Sequence, residues 1–129
     1  MNASQAMNTY RNVGVHSAVE DASPYRLIAM LLDGALDRIA SARGAMERGD
    51  TATQGSLIGK TITILDNMRV SLDHEQGGQL AERLAALYEY MQRRLLEASS
   101  RADTAILDEV QSLLREIKTG WDGIPAEYR

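Results

Sequence analysis

The side chains best suited to catalysis or phosphate transfer in this chain are its two histidines, His16 and His74. His74 and Glu75 begin like the zinc-protease motif, but a glycine stands where that motif needs its second histidine. In a small helical bundle an exposed histidine can instead carry a phosphoryl group, which keeps a histidine phosphotransfer domain open as an alternative. No lysine lies beside His74 to stabilise a phosphate, so this alternative has little support. We assign neither histidine a role.

The other side chains that could act as nucleophiles or ligands also lack partners. A catalytic bundle usually carries inward-facing Glu-x-x-His pairs, and this chain has none. Its serines have no histidine or lysine base at a recognisable spacing, and it contains no cysteine for a thiolate metal site or a disulfide. We therefore predict that the protein is not an enzyme, has no catalytic residue and binds no cofactor or metal.

The charge and hydropathy of the chain limit its partners. The formal net charge is −4, and the basic residues are scattered among acidic ones, so no basic patch for nucleic acid is predicted. No apolar run is long enough for a signal peptide or a membrane span, and the absence of cysteine fits a reducing compartment. These features predict a cytoplasmic protein without membrane insertion, whose partner is another protein.

The elements that would position a binding surface are helices. Prolines occur only at positions 24 and 125, and the residues between them are mostly good helix formers. Ser23 followed by Pro24 predicts the start of a first helix, which should end near Arg48, before Gly49. Asp50 is the predicted cap of a second helix. The apolar positions between these signals recur at steps of three and four, as in a helix with one buried face.

The second half of the periodic region predicts two more helices. The second helix should continue to a turn around Gly77 and Gly78. A third helix should begin near Leu80 and give way to the polar residues 99–101. Asp103 then caps a fourth helix, whose apolar residues follow the seam spacing of a helix packed lengthwise against its neighbours.

The predicted fold is all-α, an antiparallel up-and-down four-helix bundle with a mobile N-terminal arm, because short connections favour antiparallel neighbours. Residues 1–22 form the predicted arm, residues 23–124 the bundle and residues 125–129 a C-terminal tail. Within the bundle, Tyr88 is predicted to lie in the core and Trp121 to plug one end.

Apolar residues on the second and third helices cover more of each helix than one buried stripe needs. On the second helix they span roughly 160° of the helical wheel, against the roughly 100° of a core-facing stripe. The surplus has two interpretations: a groove that binds a partner's amphipathic helix, or the flanking positions of an ordinary four-helix core. The groove hypothesis treats the Tyr90 ring as exposed and assigns the site to Leu57, Thr61, Ile64, Met68, Leu80, Leu87 and Tyr90.

Three groups of residues resemble the signatures of the FliS family of flagellar export chaperones, in the family's order and spacing. The first comprises Tyr10, the Ala-Ser-Pro sequence at 22–24 and the Met-Leu-Leu-Asp-Gly-Ala-Leu sequence at 30–36. The second starts at Leu72 and continues through the glycine pair to Ala98, and the third is the Leu-Leu-Arg-Glu-Ile sequence at 113–117 with Trp121. Together they cover nearly the whole chain.

This resemblance implies a cytoplasmic chaperone that binds the C-terminal segment of flagellin, prevents its premature polymerisation and assists its delivery to the flagellar type III export apparatus. It also implies that the N-terminal arm, with Tyr10, Val13 and Val15, lies over the binding surface until the client displaces it. Leu32 and Thr61 depart from the family pattern and are expected to change the shape of the groove. A structural bundle that forms a homodimer is the remaining alternative.

Overall fold

The structure, a computed structural model, describes residues 23–128. Within this range the chain folds into four α-helices and a short 3-10 turn, with no strand. The helices are α1 (Pro24–Glu47), α2 (Thr51–Val70), α3 (His74–Arg101) and α4 (Thr104–Asp122), and the turn spans Ala126–Tyr128. The predicted all-α fold is confirmed for this range. The predicted arm, with Tyr10, Val13 and Val15, lies outside it.

Three of the helices begin at the capping residues that the sequence indicates. The side chains of Ser23, Asp50 and Asp103 each accept a hydrogen bond from a backbone N–H in the first turn of α1, α2 and α4, at 2.9–3.2 Å. Each bond satisfies one of the N–H groups that a first turn leaves without an intrahelical partner. The end of α1 at Glu47, with Arg48 as its cap, agrees with the prediction.

The break predicted at Gly77 and Gly78 is present, but the predicted helix boundaries around it are wrong. The chain already leaves α2 at Val70, and α3 begins at His74, because the Asp73 side chain caps it by accepting a hydrogen bond from the backbone N–H of its first turn at 3.0 Å. Gly78 interrupts the new helix with φ 51° and ψ −127° and does not end it. The glycine pair therefore breaks the first turn of α3 away from the rest of that helix.

The other end of α3 also differs from the prediction. Residues 99–101, expected to leave the helix, continue it, and the chain turns only at Ala102, which adopts the left-handed conformation with φ 50°. Polar residues do not by themselves stop a helix, and here a contact with α2 supports the last turns. The Gln54 side chain donates from Nε2 to the Ser99 carbonyl oxygen at 3.1 Å.

The four helices pack in a ring. α1 contacts α2 and α4, and α3 contacts the same two helices, whereas the Cα atoms of the diagonal pairs α1–α3 and α2–α4 stay more than 8 Å apart within the part that the structure describes. Consecutive helices are joined by short connections and are therefore antiparallel neighbours, as predicted for an up-and-down bundle. Ion pairs between Arg43 and Asp108 and between Lys118 and Asp33 join α1 to α4.

The core runs through the centre of this ring. Its fully buried side chains include Leu27, Leu31, Leu32, Ile39, Ile64, Leu65, Met68, Tyr88, Met91, Leu95, Leu107 and Leu114. They come from all four helices, and their burial stabilises the fold by removing apolar surface from water. The prediction that Tyr88 belongs to the core is confirmed, since its exposed fraction is 2%.

Candidate functional site

An apolar pocket opens at the end of the bundle where α1 and α3 begin and α4 ends. Its volume is about 380 Å³. The side chains that line it are mostly aliphatic or aromatic and include Ile28, Leu32, Leu80, Leu84, Tyr88, Ile117 and Trp121. We call this feature the end pocket. A cavity of this size and character falls within the range of sites that bind small ligands or the side chains of a partner.

One wall of the end pocket is held by aromatic packing. The Trp121 ring stacks on Tyr25 with centroids 5.4 Å apart and an interplanar angle of 8°. Its indole N–H donates to the Tyr25 carbonyl oxygen at 3.0 Å, so the polar edge of the ring is satisfied and its apolar face is free to line the pocket. Trp121 was expected to plug the end of the bundle; it is half-buried and lines an opening there.

The floor of the end pocket is part of the core. Ile28, Leu32 and Tyr88 line it although each is at most 3% exposed. Burial raises the pKa of the Tyr88 hydroxyl to about 12, because the phenolate form would lose its hydration there. Leu32, which departs from the family pattern, lines this pocket. Its expected effect on the shape of a binding groove stays a prediction.

The opposite wall is the first turn of α3. Asp73, Gln76, Gly77 and Leu80 line the pocket from this side, and all four are exposed to solvent. Leu80 has an exposed fraction of 66%, which is high for a leucine that faces an apolar pocket. Leu80 therefore leaves apolar surface accessible at the mouth of the pocket.

The predicted groove edge on α2 is closed. Thr61, Ile64 and Met68 have exposed fractions of 0%, 0% and 1% and lie among the core side chains. The expectation that they line an open groove is therefore wrong, and the alternative interpretation, flanking positions of an ordinary core, describes them. Because α2 lies between α1 and α3, two neighbours cover both edges of its apolar arc. The Thr61 hydroxyl donates to the Leu57 carbonyl oxygen at 2.9 Å.

The remaining predicted site residues occupy different environments. Leu57 and Leu87 are half-buried against the core, and of the seven proposed groove residues only Leu80 lines the end pocket. Tyr90, expected to be an exposed ring, is half-buried, and its hydroxyl donates to Glu109 Oε2 at 2.7 Å. The structure thus does not bring the seven residues together into one surface.

Tyr90 belongs to a charged cluster that joins α3 to α4. Arg94 Nε donates to Glu109 Oε1 at 2.7 Å, and a second Arg94 nitrogen pairs with Glu97 at 2.6 Å. The hydrogen bond from Arg94, followed by that from Tyr90, lowers the pKa of the Glu109 carboxyl. The bond to Glu109 raises the pKa of Tyr90. This cluster links α3 to α4 beside the core.

Most residues of the end pocket were not predicted as a site. Ile28, Leu32, Leu84 and Ile117 belong to ordinary apolar stripes, and nothing in their spacing separates them from core positions. The glycine pair, which was interpreted as a plain turn, was the one sequence signal that pointed to this pocket, since it marks where α3 is interrupted.

Within residues 23–128, no group of three or more histidine, cysteine, aspartate or glutamate side chains is placed to hold a metal ion. None of the helices in this range is long and apolar enough to cross a membrane. His74 is exposed at the start of α3.

Fold and site together define an all-helical bundle whose distinctive feature is an apolar pocket of the kind that receives apolar groups of a partner. The sequence model of the family described as flagellar protein FliS matches residues 6–128. The flagellar secretion chaperone FliSB of Pseudomonas aeruginosa is 52% identical over 124 residues, which is 96% of this chain and 98% of that one. The flagellar secretion chaperone FliS of Salmonella typhimurium is 42% identical over 96% of this chain and 93% of its own.

The chain therefore belongs to the FliS family, a family of chaperones and not of enzymes. More distant relatives share the name: the flagellar secretion chaperone FliS of Bacillus subtilis is 30% identical over 81% of this chain and 77% of its own. The prediction that the protein is not an enzyme is confirmed by this membership, and the histidine phosphotransfer alternative is set aside with it.

Proposed function

We propose that this protein is a cytoplasmic flagellin chaperone that binds the C-terminal segment of flagellin, prevents its premature polymerisation and assists its delivery to the flagellar type III export apparatus. Membership of the FliS family makes it a flagellar chaperone and implies a flagellar protein as its partner. The observation that carries the finer proposal is the apolar end pocket with the exposed Leu80 at its mouth. It offers apolar cover to a segment that would otherwise expose its own apolar residues.

The physical basis is the shielding of a segment that folds only on assembly. In the proposal, the flagellin terminus is disordered alone and forms amphipathic helices in the filament, so its apolar faces need cover before export. The end pocket receives one large apolar side chain of that segment, and Leu80 packs against the next turn. Because ordering the segment costs entropy, affinity depends on a wide contact and not on the pocket alone. Leu57, Leu87 and Tyr90 stay predictions for this wider contact.

The N-terminal arm has a place in this proposal. α1 begins at the end of the bundle that carries the pocket, and the arm precedes it directly. Val15 is eight residues before Ser23, and eight extended residues span up to about 28 Å. The arm is therefore long enough for Val15, Val13 and Tyr10 to reach the pocket. We propose that they cover it in the free protein and that the client displaces them.

Binding to a synthetic C-terminal segment of flagellin from the same organism tests the proposal. Calorimetry with the full chain should give a saturable one-to-one complex, and co-expressed flagellin should co-purify with the protein. A matched pair of variants on α3 locates the contact: Leu80→Asp and Leu96→Asp. The two leucines are 66% and 61% exposed, and only Leu80 lines the pocket. They lie sixteen residues apart on α3, about 24 Å along the helix axis.

The proposal expects Leu80→Asp to weaken binding at least about tenfold, because a carboxylate placed in an apolar contact must lose its hydration. Leu96→Asp should bind as the unmodified protein does, and both variants should keep their melting temperature. Equal affinities for the two variants would show that the end pocket is not part of the contact with the client. A dimer that persists in light scattering and does not bind the segment would favour the homodimer alternative.

A further inference from the structure

We infer that the first turn of α3, residues 73–77, is a flap that swings about Gly77 and Gly78 and sets the width of the end pocket. The partner that it adjusts to is a bulky apolar side chain on the client's helix, so this part of the inference rests on the proposed function. The hinge itself is a property of the free protein and is tested separately. We call these five residues the flap.

The backbone at Gly78 is the first observation. Its φ of 51° combined with ψ of −127° is a conformation that essentially only glycine adopts without strain. It separates the flap from the long body of α3, which continues to Arg101. A helix that needed only to be continuous would gain stability from alanine here, because glycine lowers the stability of a helix interior. The break is thus a place where the backbone can change direction at low cost.

The neighbouring glycine supplies the second observation. A Cβ atom at Gly77 would lie 2.9 Å from the Cβ of Ala81, closer than two carbon atoms can pack. The flap consequently lies tightly against the body of α3 and can do so only with glycine at this position. By contrast, a Cβ atom at Gly55 or Gly59 on α2 would meet nothing within 4 Å. Gly77 and Gly78 therefore differ from the two glycines in the middle of α2.

The flap moves as one piece because two hydrogen bonds close within it. The Asp73 carboxylate accepts from the Gln76 N–H at 3.0 Å, and the Asp73 carbonyl oxygen accepts from the Gly77 N–H at 2.8 Å. Every residue from 73 to 80 is exposed, so few contacts tie the flap to the other helices. Since Asp73, Gln76 and Gly77 line the end pocket, rotation about the glycines changes its width directly. Hinges of this kind absorb their motion in a few backbone dihedral angles.

Fluorescence quenching measures the position of the flap. Trp121 is the only tryptophan, and the chain has no cysteine, so a bimane label on Gln76→Cys can be placed uniquely and reports on its distance from Trp121, which lines the same pocket. In the free protein we expect two label lifetimes, one quenched and one not, from the closed and open flap. Adding Gly78→Ala should reduce the quenched fraction at least twofold, because alanine disfavours the closed backbone conformation and straightens the helix. Gly59→Ala is the matched control and should leave the quenched fraction unchanged.

The client peptide then tests the role of the flap. In the labelled protein, the quenched fraction should fall along the same isotherm that calorimetry gives for peptide binding. Gly78→Ala should weaken that binding several-fold while Gly59→Ala does not. A single lifetime in the free protein, or a folded Gly78→Ala variant with unchanged quenching, overturns the hinge. Binding with constant quenching overturns the role of the flap. Absence of any binding by calorimetry refutes the proposed function instead, and the lifetimes of the free protein still decide the hinge.

Discussion

The middle of α2 and the start of α3 present similar apolar residues, yet the first is closed and the second is open. Ile64 and Met68 are buried among the core side chains, whereas Leu80 is 66% exposed beside a pocket of about 380 Å³. α2 lies between two neighbouring helices along its length. The start of α3 lies at the end of the ring, where Gly78 interrupts the helix. For these residues the position along the bundle therefore decides exposure in addition to the angle on the helical wheel.

The largest expected effect on stability comes from a substitution in the closed region, the buried face of α2. Ile64→Asp places an unpaired carboxylate at a position with an exposed fraction of 0%, so the variant should lose about 4 kcal/mol or more of stability, or fail to fold. Urea denaturation followed by circular dichroism measures this. Leu114→Asp, at an equally buried position on α4, should behave in the same way. A normal melting temperature for Ile64→Asp would show that α2 has an open edge and would contradict the contrast between the two regions.

Truncation of one leucine in each region sharpens the comparison. Leu65→Ala leaves a cavity inside a closed core and should cost about 2–5 kcal/mol. Leu84→Ala should cost only about 1–2 kcal/mol, because Leu84 is half-buried and its removal widens a pocket that is already open to solvent. Both values come from the same chemical denaturation experiment. Equal losses would mean that the end pocket is closed in solution.

A smaller effect is expected from the aromatic wall of the pocket. Trp121→Phe removes the indole hydrogen bond to the Tyr25 carbonyl oxygen and part of the ring stacking, for a loss of about 1–2 kcal/mol. Far-UV circular dichroism is the appropriate probe, because the substitution removes the only tryptophan. Tyr128→Phe, at an aromatic residue with an exposed fraction of 75%, serves as the control and should change nothing.

The smallest effect concerns the charged cluster between α3 and α4. The pKa of Glu109 is lowered in the folded protein, so its bonds stabilise the fold above its unfolded pKa of about 4.3. That contribution is lost as the pH falls through the lowered folded value. Glu109→Gln should therefore lower the melting temperature slightly at pH 7, and the difference should shrink below about pH 4. Glu116→Gln, at an exposed glutamate on the same helix, is the control. A difference that is constant from pH 7 to pH 3 contradicts the assignment.

Local signals in the sequence determined the helices. Ser23 with Pro24, Asp50 and Asp103 mark three helix starts, because a side-chain oxygen at the N-cap satisfies backbone groups within the same turn. The helical spacing of apolar residues identifies the core, including Tyr88, for a similar reason: one face of each helix must be buried. Such signals depend on neighbours in the chain and can be read from the sequence, although the Asp73 cap of α3 was not predicted.

Only the tertiary structure decided which apolar residues stay accessible. The wide arc of α2 predicted a groove at Thr61, Ile64 and Met68, but two flanking helices cover both of its edges, and their positions are not encoded in that segment. The end pocket joins residues from α1, α3 and α4 that lie far apart in the chain. Its mouth exists because Asp73 caps α3 before the glycine pair, so the glycines interrupt a helix and do not precede one. Exposure is a property of the assembled ring, and helical periodicity describes one helix at a time.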